Sequence, residues 1–380
     1  MLFIIAMDVL HRLFQKAAAD GVLRKMEPPK IKFQCSLYAD DVILFIHPHV
    51  QETRAVKQIL HIFGEASGLE TNLAKCSITP IYGGEDSLEE IVSILGCQVQ
   101  QFPIRCLGLP LSTKQIPKSH FQSVVEGVAR KMPPCHGNLM ARSGRLVWIK
   151  SVLRAVPIYA MMAENLPPWA RKEIDTICRR FFWAGSDASV QGKCMVAWAT
   201  VCRPTELGGL GVSNLKLASF ALQARWLWLQ KTDQDRAWSH LPIKTSPEVL
   251  AFFKASTYTL IGDGRQALFW EDKWIHGEFV PDIAPCLCQF VPPRTRRRQT
   301  VRQGLLNRSW VQSISGGVSL QAIHEYLTLW DTLQDIQLND QPDRTVWRWA
   351  NDGAYSAKSA YYMLHSASTP FLGHKLIWKT

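Results

Sequence analysis

The 380 residues, with 47% hydrophobic and 20% charged side chains, have an ordinary globular balance, which excludes a wholly disordered chain and allows two or three domains with cores of their own. Lys and Arg number 43 against 32 Asp and Glu, and a formal charge of +11 favours polyanionic partners such as nucleic acid. The ten cysteines are scattered, with neither Cys-x-x-Cys pairs nor the His spacing of a zinc finger, and without an export signal the default reading is reduced thiols in an intracellular compartment, nuclear or cytoplasmic.

The apolar start, Met1 to Met7, lacks a basic n-region and ends at Asp8, too short for a signal peptide core or a membrane span. Val9, Leu10, Leu13 and Phe14 continue a helical stripe, so residues 2–18 are expected to form a buried helix. Two short strands follow, 31–37 and 42–46, closed by Pro48, with Tyr38-Ala39-Asp40-Asp41 as a tight hairpin connection. Val56, Ile59, Leu60 and Phe63 mark a helix that Gly68 stops. A strand near Ser77–Tyr82 comes next, and Ser87-Leu88-Glu89-Glu90 has capping-box spacing for a helix that Gly96 ends. Another strand covers Gln98–Pro103. Helices mixed with hairpin strands, without regular βαβ alternation, predict an α+β domain.

From about residue 117 the pattern is helical. Phe121, Val124, Val125 and Val128 form one stripe, stopped by Pro133-Pro134. Leu146, Ile149, Leu153 and Val156 form a second, stopped by Pro157, and Ile174, Ile177 and Phe181 a third. A fourth helix, roughly Asn214–Lys231, is apolar on most sides and expected to lie between others. Residues 233–310 are less regular, with a Gly262-Asp263-Gly264 turn, the aromatic cluster Phe269, Trp270 and Trp274, and a basic run from Arg294 to Arg302. Asn351-Asp352-Gly353 reads as a hairpin turn, and Ser356 as the cap of a short last helix.

The adjacent aspartates at the hairpin tip are the feature that carries chemistry. Two-metal phosphoryl transfer needs carboxylates that hold two Mg²⁺ ions about 4 Å apart, and rigid strands can present them to substrate. Asp-Asp is also an ordinary turn sequence, because Asp bonds turn amides with its own side chain.

Leu37-Tyr38-Ala39-Asp40-Asp41-Val42 resembles the Tyr-x-Asp-Asp motif of reverse transcriptases, in the form typical of plant LINE-type (non-LTR) retrotransposons. Further landmarks resemble that family in order: Ser67-Gly68-Leu69 with Asn72 and Lys75, Cys106-Leu107-Gly108-Leu109-Pro110-Leu111, and Gly144-Arg145-Leu146 through Lys150-Ser151-Val152-Leu153. They continue with Val196-Ala197-Trp198, Gly208-Gly209-Leu210-Gly211, Gly262-Asp263-Gly264-Arg265, and Tyr355 through Tyr361. The resemblance implies a truncated palm over 1–112, a helical thumb and post-thumb over 113–232, an irregular connection over 233–310, and the start of a C-terminal zinc-binding-like region over 311–380 whose zinc ligands would lie beyond Thr380; no zinc is expected here.

It also implies an RNA-directed DNA polymerase that uses Mg²⁺, an RNA template and a DNA primer. Asp40 and Asp41 would be the catalytic metal ligands, Tyr38 would line the primer end, and Lys75 would assist pyrophosphate departure. Leu107 and Gly108 would meet the primer backbone. Arg145, Lys150, Arg296 and Arg297 are candidate phosphate contacts; the bland reading of these basic residues is a wet helix face or a solvated loop. The stretch Met1 to Asp8 resembles the family segment just after its Gln-Gly-Asp-Pro-Leu-Ser-Pro motif, so the fingers and the strand carrying the metal-bridging aspartate are expected to be missing. The enzyme would then be inactive alone, completed by a polypeptide supplying the missing palm and fingers. The alternatives are a non-catalytic nucleic-acid-binding remnant or the product of a decayed element. No membrane partner is expected.

Overall fold

The computed structural model describes residues 2–26, 34–81, 85–114, 116–133, 139–185, 194–236, 238–239, 241–317, 319–366 and 368–378. The chain divides into two compact units, one of residues 1–123 with 235–241, the other of residues 124–234 with 242–380. Both helix and strand are present, as the α+β reading requires.

The first unit opens with α1 (Leu2–Ala19), which buries Met7, Leu10, Phe14 and Ala17 at helical spacing. Strands β1 (Cys35–Tyr38) and β2 (Asp41–Leu44) form an antiparallel hairpin with register Cys35 to Leu44 and Tyr38 to Asp41. Residues 31–33 of the expected first strand lie outside the described residues, and β2 ends four residues before Pro48. α2 (Val50–Ser67) ends as expected, with Gly68 at φ 74 donating its N–H to the Gly64 carbonyl at 2.8 Å. Val56 and Phe63 join the α1 residues, Leu23 and Cys35 in one apolar cluster.

A buried helix was expected at 2–18, and α1 forms there but is buried along one stripe. Leu2, Ile4, Ile5 and Val9 are exposed, Leu2 at 84%. Changing Ile4 and Ile5 to Ser is therefore expected to reduce binding of a hydrophobic dye and slow aggregation. The thermal midpoint should stay within about 2 °C, because exposed sites contribute within roughly 0.5 kcal/mol.

β3 (Ser77–Ile78), α3 (Glu85–Leu95) and β4 (Gln98–Val99) follow. Ser87 is not the cap; α3 starts two residues earlier, at Glu85. The two short strands pair in parallel across α3, Ser77 with Gln98, one βαβ crossover among the described residues, consistent with the absence of regular alternation. Ile91, Leu95 and Cys97 bury against Leu73, Cys76 and Ile78. A second hairpin joins β5 (Ile104–Cys106) to β6 (Leu109–Leu111) through Leu107 and Gly108, and α4 covers Lys118–Arg130.

In the second unit, α5 (Arg142–Trp148) runs through a π-helical turn, Ile149–Leu153, into α6 (Val156–Ala163). Pro157 does not stop this helix. The widened turn closes with Arg154 N–H on the Ile149 carbonyl at 2.9 Å, so Pro157 falls in a first turn where its missing N–H costs nothing. The stretch Arg142–Ala163 is long and apolar enough to cross a membrane, yet Ile149, Leu153 and Met161 are fully buried inside the unit. Of its apolar window 33% is buried, and the stretch packs on α7 (Pro168–Ala184) and α9 (Leu215–Thr232), with the short α8 (Trp198–Val201) between them in sequence. Asn214 caps α9, its side chain accepting from Lys216 N–H at 3.0 Å and Leu217 N–H at 3.3 Å.

α10 (Pro247–Ser256), capped by Ser246, leads into β7 (Thr257–Leu260), and β8 (Lys273–Ile275) turns into β9 (Glu278–Phe279). Short helices α11 (Val280–Ile283), α12 (Pro285–Gln289), α13 (Pro293–Arg296), α14 (Val301–Leu305) and α15 (Ser309–Gln312) precede α16 (Leu320–Gln334). Irregular in outline, this stretch is dense inside. Phe269, Trp270, Trp274 and Trp310 are buried together, with Phe269 edge-on to Trp270 at 4.9 Å.

β10 (Arg344–Trp347) pairs antiparallel with β7, Arg344 opposite Leu260. The turn at Asn351-Asp352-Gly353 exists, but it returns the chain to a single bond, Trp347 N–H to the Gly353 carbonyl at 2.8 Å, and not to a second hairpin strand. Ser356 caps α17 (Ala357–Met363), accepting from Ser359 N–H at 3.0 Å; α18 (His374–Ile377) follows it.

Candidate functional site

Alternation along β1 sets the hairpin's two faces. Cys35 is buried and Leu37 half-buried towards the α1–α2 cluster, while Ser36 and Tyr38 point away. Residues paired across an antiparallel ladder share a face, so Asp41 lies on the outer face beside Tyr38. The connection is two residues, Ala39-Asp40, with Ala39 held at φ 54. A left-handed non-glycine residue costs about 1 kcal/mol, local strain at the tip that presents the carboxylates. Asp40, Asp41 and Tyr38 are all exposed, Tyr38 at 67%, and neither carboxylate enters an ion pair among the described residues.

A two-metal centre needs more than this pair. Asp8, the nearest further carboxylate in sequence, is on α1 and bonded to Arg12 at 2.9 Å. Among the described residues no group of three or more His, Cys, Asp or Glu side chains lies close enough to hold a metal ion. The donors among the described residues therefore do not by themselves make up a Mg²⁺ site.

Lys75 is exposed at the end of a single 3₁₀ turn, Leu73–Lys75, and the structure does not gather it with the two aspartates into a described cluster. Leu107 and Gly108, at φ 51 and 79, form the two-residue connection of the second hairpin. Both positive angles are what a type I′ turn requires, so this glycine has a conformational reason to be there. A Cβ at Gly108 would meet nothing within 4 Å, which leaves its face open to a ligand.

The candidate phosphate contacts are placed differently from one another. Arg145 is turned inward, donating from Nε to the Met140 carbonyl at 3.0 Å and from Nη1 to the Phe182 carbonyl at 3.3 Å. Its pKa is lowered by burial and by Arg142. Lys150 is exposed in the π-helical turn, and Arg297 is exposed just past α13. Arg296 is half-buried, with its Nε lacking a partner among the described residues.

Sequence reasoning missed a basic concavity of the second unit. An open cleft of about 320 Å³ is lined by Arg171, Lys172, Asp175, Thr176, Arg179, Trp198, Asn214 and Lys216. The α7 members repeat at three- and four-residue spacing, opposite the buried Ile174, Ile177 and Phe181. That polar stripe was visible in the sequence; its facing wall was not. Behind it lies Arg154, only 2% exposed, bonded to Asp175 Oδ1 and set over the Trp198 ring at 5.8 Å. Trp198 Nε1 donates to the same oxygen at 3.1 Å. Burial pushes the neighbouring thiols up, Cys178 to about 11 and Cys202 to about 12, so they stay neutral beside the guanidinium.

No family model matches the chain. Over 297 residues it is 27% identical to an Arabidopsis thaliana protein named as a ribonuclease H protein, an alignment covering 69% of this chain and 45% of that protein. The chain thus spans less than half the length of the relative it matches.

Proposed function

We propose that the chain is a retrotransposon-derived nucleic-acid protein of the non-LTR reverse transcriptase type, an RNA-directed DNA polymerase by descent that is inactive on its own. The observation that carries this reading is the Tyr38-Ala39-Asp40-Asp41 hairpin, whose two carboxylates stand exposed at the tip of strands seated on a buried apolar face. The ordered motifs downstream, the +11 charge and the distant match to a protein named for ribonuclease H support the nucleic-acid class.

In this reading residues 1–112 are palm and 113–232 thumb and post-thumb, in a nuclear or cytoplasmic protein. An RNA template and a DNA 3′ end are the partners. Tyr38 and the Leu107-Gly108 turn lie along the primer, and Lys75 faces the leaving pyrophosphate. Asp40 and Asp41 supply part of a Mg²⁺ site that a further polypeptide segment completes. Cleavage of RNA in a hybrid, the chemistry in the relative's name, also calls for clustered carboxylates, and none of three or more occurs among the described residues.

The test is Mg²⁺-dependent primer extension on an RNA template, with the chain beside Asp40→Ala. Neither protein is expected to extend the primer, and both should bind the template–primer duplex equally. Extension that Asp40→Ala abolishes would show a complete active site and overturn the reading of inactivity. Absence of duplex binding at low salt would remove the nucleic-acid reading as well.

A further inference from the structure

We infer that the cleft between α7 and the start of α9 is a phosphodiester-binding groove that holds the backbone of a nucleic-acid strand. The inference rests on the nucleic-acid reading above and gives it a location that the sequence motifs do not.

Four cationic side chains, Arg171, Lys172, Arg179 and Lys216, line the cleft against one carboxylate, Asp175. That carboxylate is already engaged by Arg154 and the Trp198 indole, so it does little to neutralise the others. Two guanidiniums at the cleft, Arg179 on its wall and Arg154 behind Asp175, keep donors open. Arg154 is buried with Nε and Nη1 unpartnered among the described residues, and Arg179 Nε is buried and unpartnered likewise. A buried guanidinium with open donors is costly unless an anion approaches. Besides Asp175, Glu248 is near enough to Lys216 to feel its charge, and it is exposed to solvent.

The spacing suits a polymer better than a single small anion. Arg171 and Arg179 are eight residues apart on one helix, about 12 Å at 1.5 Å per residue. One strand of a duplex rises about 3.4 Å per phosphate, so the stripe spans about three. The N-terminus of α9 is already capped by Asn214, which leaves recognition to the side chains. Thr176 donates its hydroxyl to the Lys172 carbonyl at 2.8 Å, so it is a wall and not a base reader. The Asn214 side-chain oxygen is taken by the α9 amides, and the groove is expected to hold the backbone without sequence preference.

The experiment compares the full chain with an Arg171→Gln/Lys172→Gln/Lys216→Gln variant, using a fluorescein-labelled RNA–DNA duplex titrated over a range of salt. Each lost phosphate contact should lower the slope of log K against log salt by about 0.9, so a fall of about 2 to 3 is expected. Affinity near 0.1 M salt should drop by more than about tenfold. An Arg171→Lys/Arg179→Lys variant keeps the charges and should keep the slope. Amide exchange across 168–179 of the unmodified chain should slow when duplex is added, which tests the groove without any variant.

An unchanged slope, or no protection at 168–179 while the chain still binds duplex, overturns the groove and leaves the nucleic-acid reading standing. Failure of the unmodified chain to bind duplex at all overturns both. Protection of 168–179 by inorganic phosphate but not by duplex also overturns the groove, reducing it to a small-anion site.

Discussion

Replacing Asp343 by Ala is expected to destabilise the second unit by about 3 to 5 kcal/mol, among the largest effects of any single polar substitution in the chain. The carboxylate stands at the entry to β10 and accepts four backbone N–H bonds. Oδ1 takes Gly262 and Gly264, both at 2.9 Å, and Oδ2 takes Gln266 at 2.9 Å and Ala267 at 3.0 Å. Removing it leaves those donors unpaired in a loop that cannot relax: a Cβ at Gly262 would sit 1.9 Å from the Gln341 carbonyl oxygen. Asp343→Asn keeps one carbonyl acceptor and should cost less. Chemical denaturation followed by tryptophan emission, with amide exchange at 262–267, checks both variants.

The same contacts set a pH dependence. Burial by itself would raise the Asp343 pKa, but the amides of Ala267, Gly262, Gln266 and Gly264 outweigh it and hold the pKa below the usual carboxylate range. A depressed folded-state pKa contributes stability that is present above the unfolded carboxylate pKa and lost as pH falls through the folded one. The unmodified chain should therefore lose stability more steeply than Asp343→Asn as the pH falls below about 4, the unfolded carboxylate pKa. Parallel curves for the two proteins would show that the four amides do not favour the charged form.

Asp175→Ala is expected to cost about 3 to 5 kcal/mol, because it leaves Arg154 charged and buried without its carboxylate. The neutral Cys178 and Cys202 cannot compensate, and Trp198 Nε1 loses its acceptor as well. The double variant Arg154→Met/Asp175→Leu, which removes the charge together with its partner, should recover most of that loss. If the single and double variants unfold at the same denaturant concentration, the cost lies in packing and not in a stranded charge.

Much of the local structure was legible in the residue order. The Val56–Phe63 stripe with Gly68, the α9 start at Asn214 and the Ser356 cap all use partners within four residues, so spacing alone identifies them. The hairpin at Tyr38–Asp41 was legible for the same reason, although its connection is Ala39-Asp40 alone and not the four residues expected, because Tyr38 and Asp41 pair within the strands. Three local signals were overridden. Ser87 lost the cap because α3 begins earlier, Pro157 was absorbed by a widened turn, and the Asn351–Gly353 turn acquired no second strand because β7 had taken β10.

By itself, the sequence determined the α+β class, the longer helices up to α9, the aspartates at a hairpin tip and a cationic balance; α10 and α16 were not read from it. Each follows from interactions a few residues long or from composition. Only the tertiary structure decided which polar groups would face each other. Arg154 belongs to a helical stretch whose other cations include the exposed Lys150, yet it is buried against Asp175, 21 residues away. Asp343 closes on amides 76 to 81 residues distant. The cleft wall of α7 meets Asn214 and Lys216 across intervening chain. Burial, charge pairing and concavity depend on how separate elements pack, and periodicity within one element carries no record of the surface it will meet.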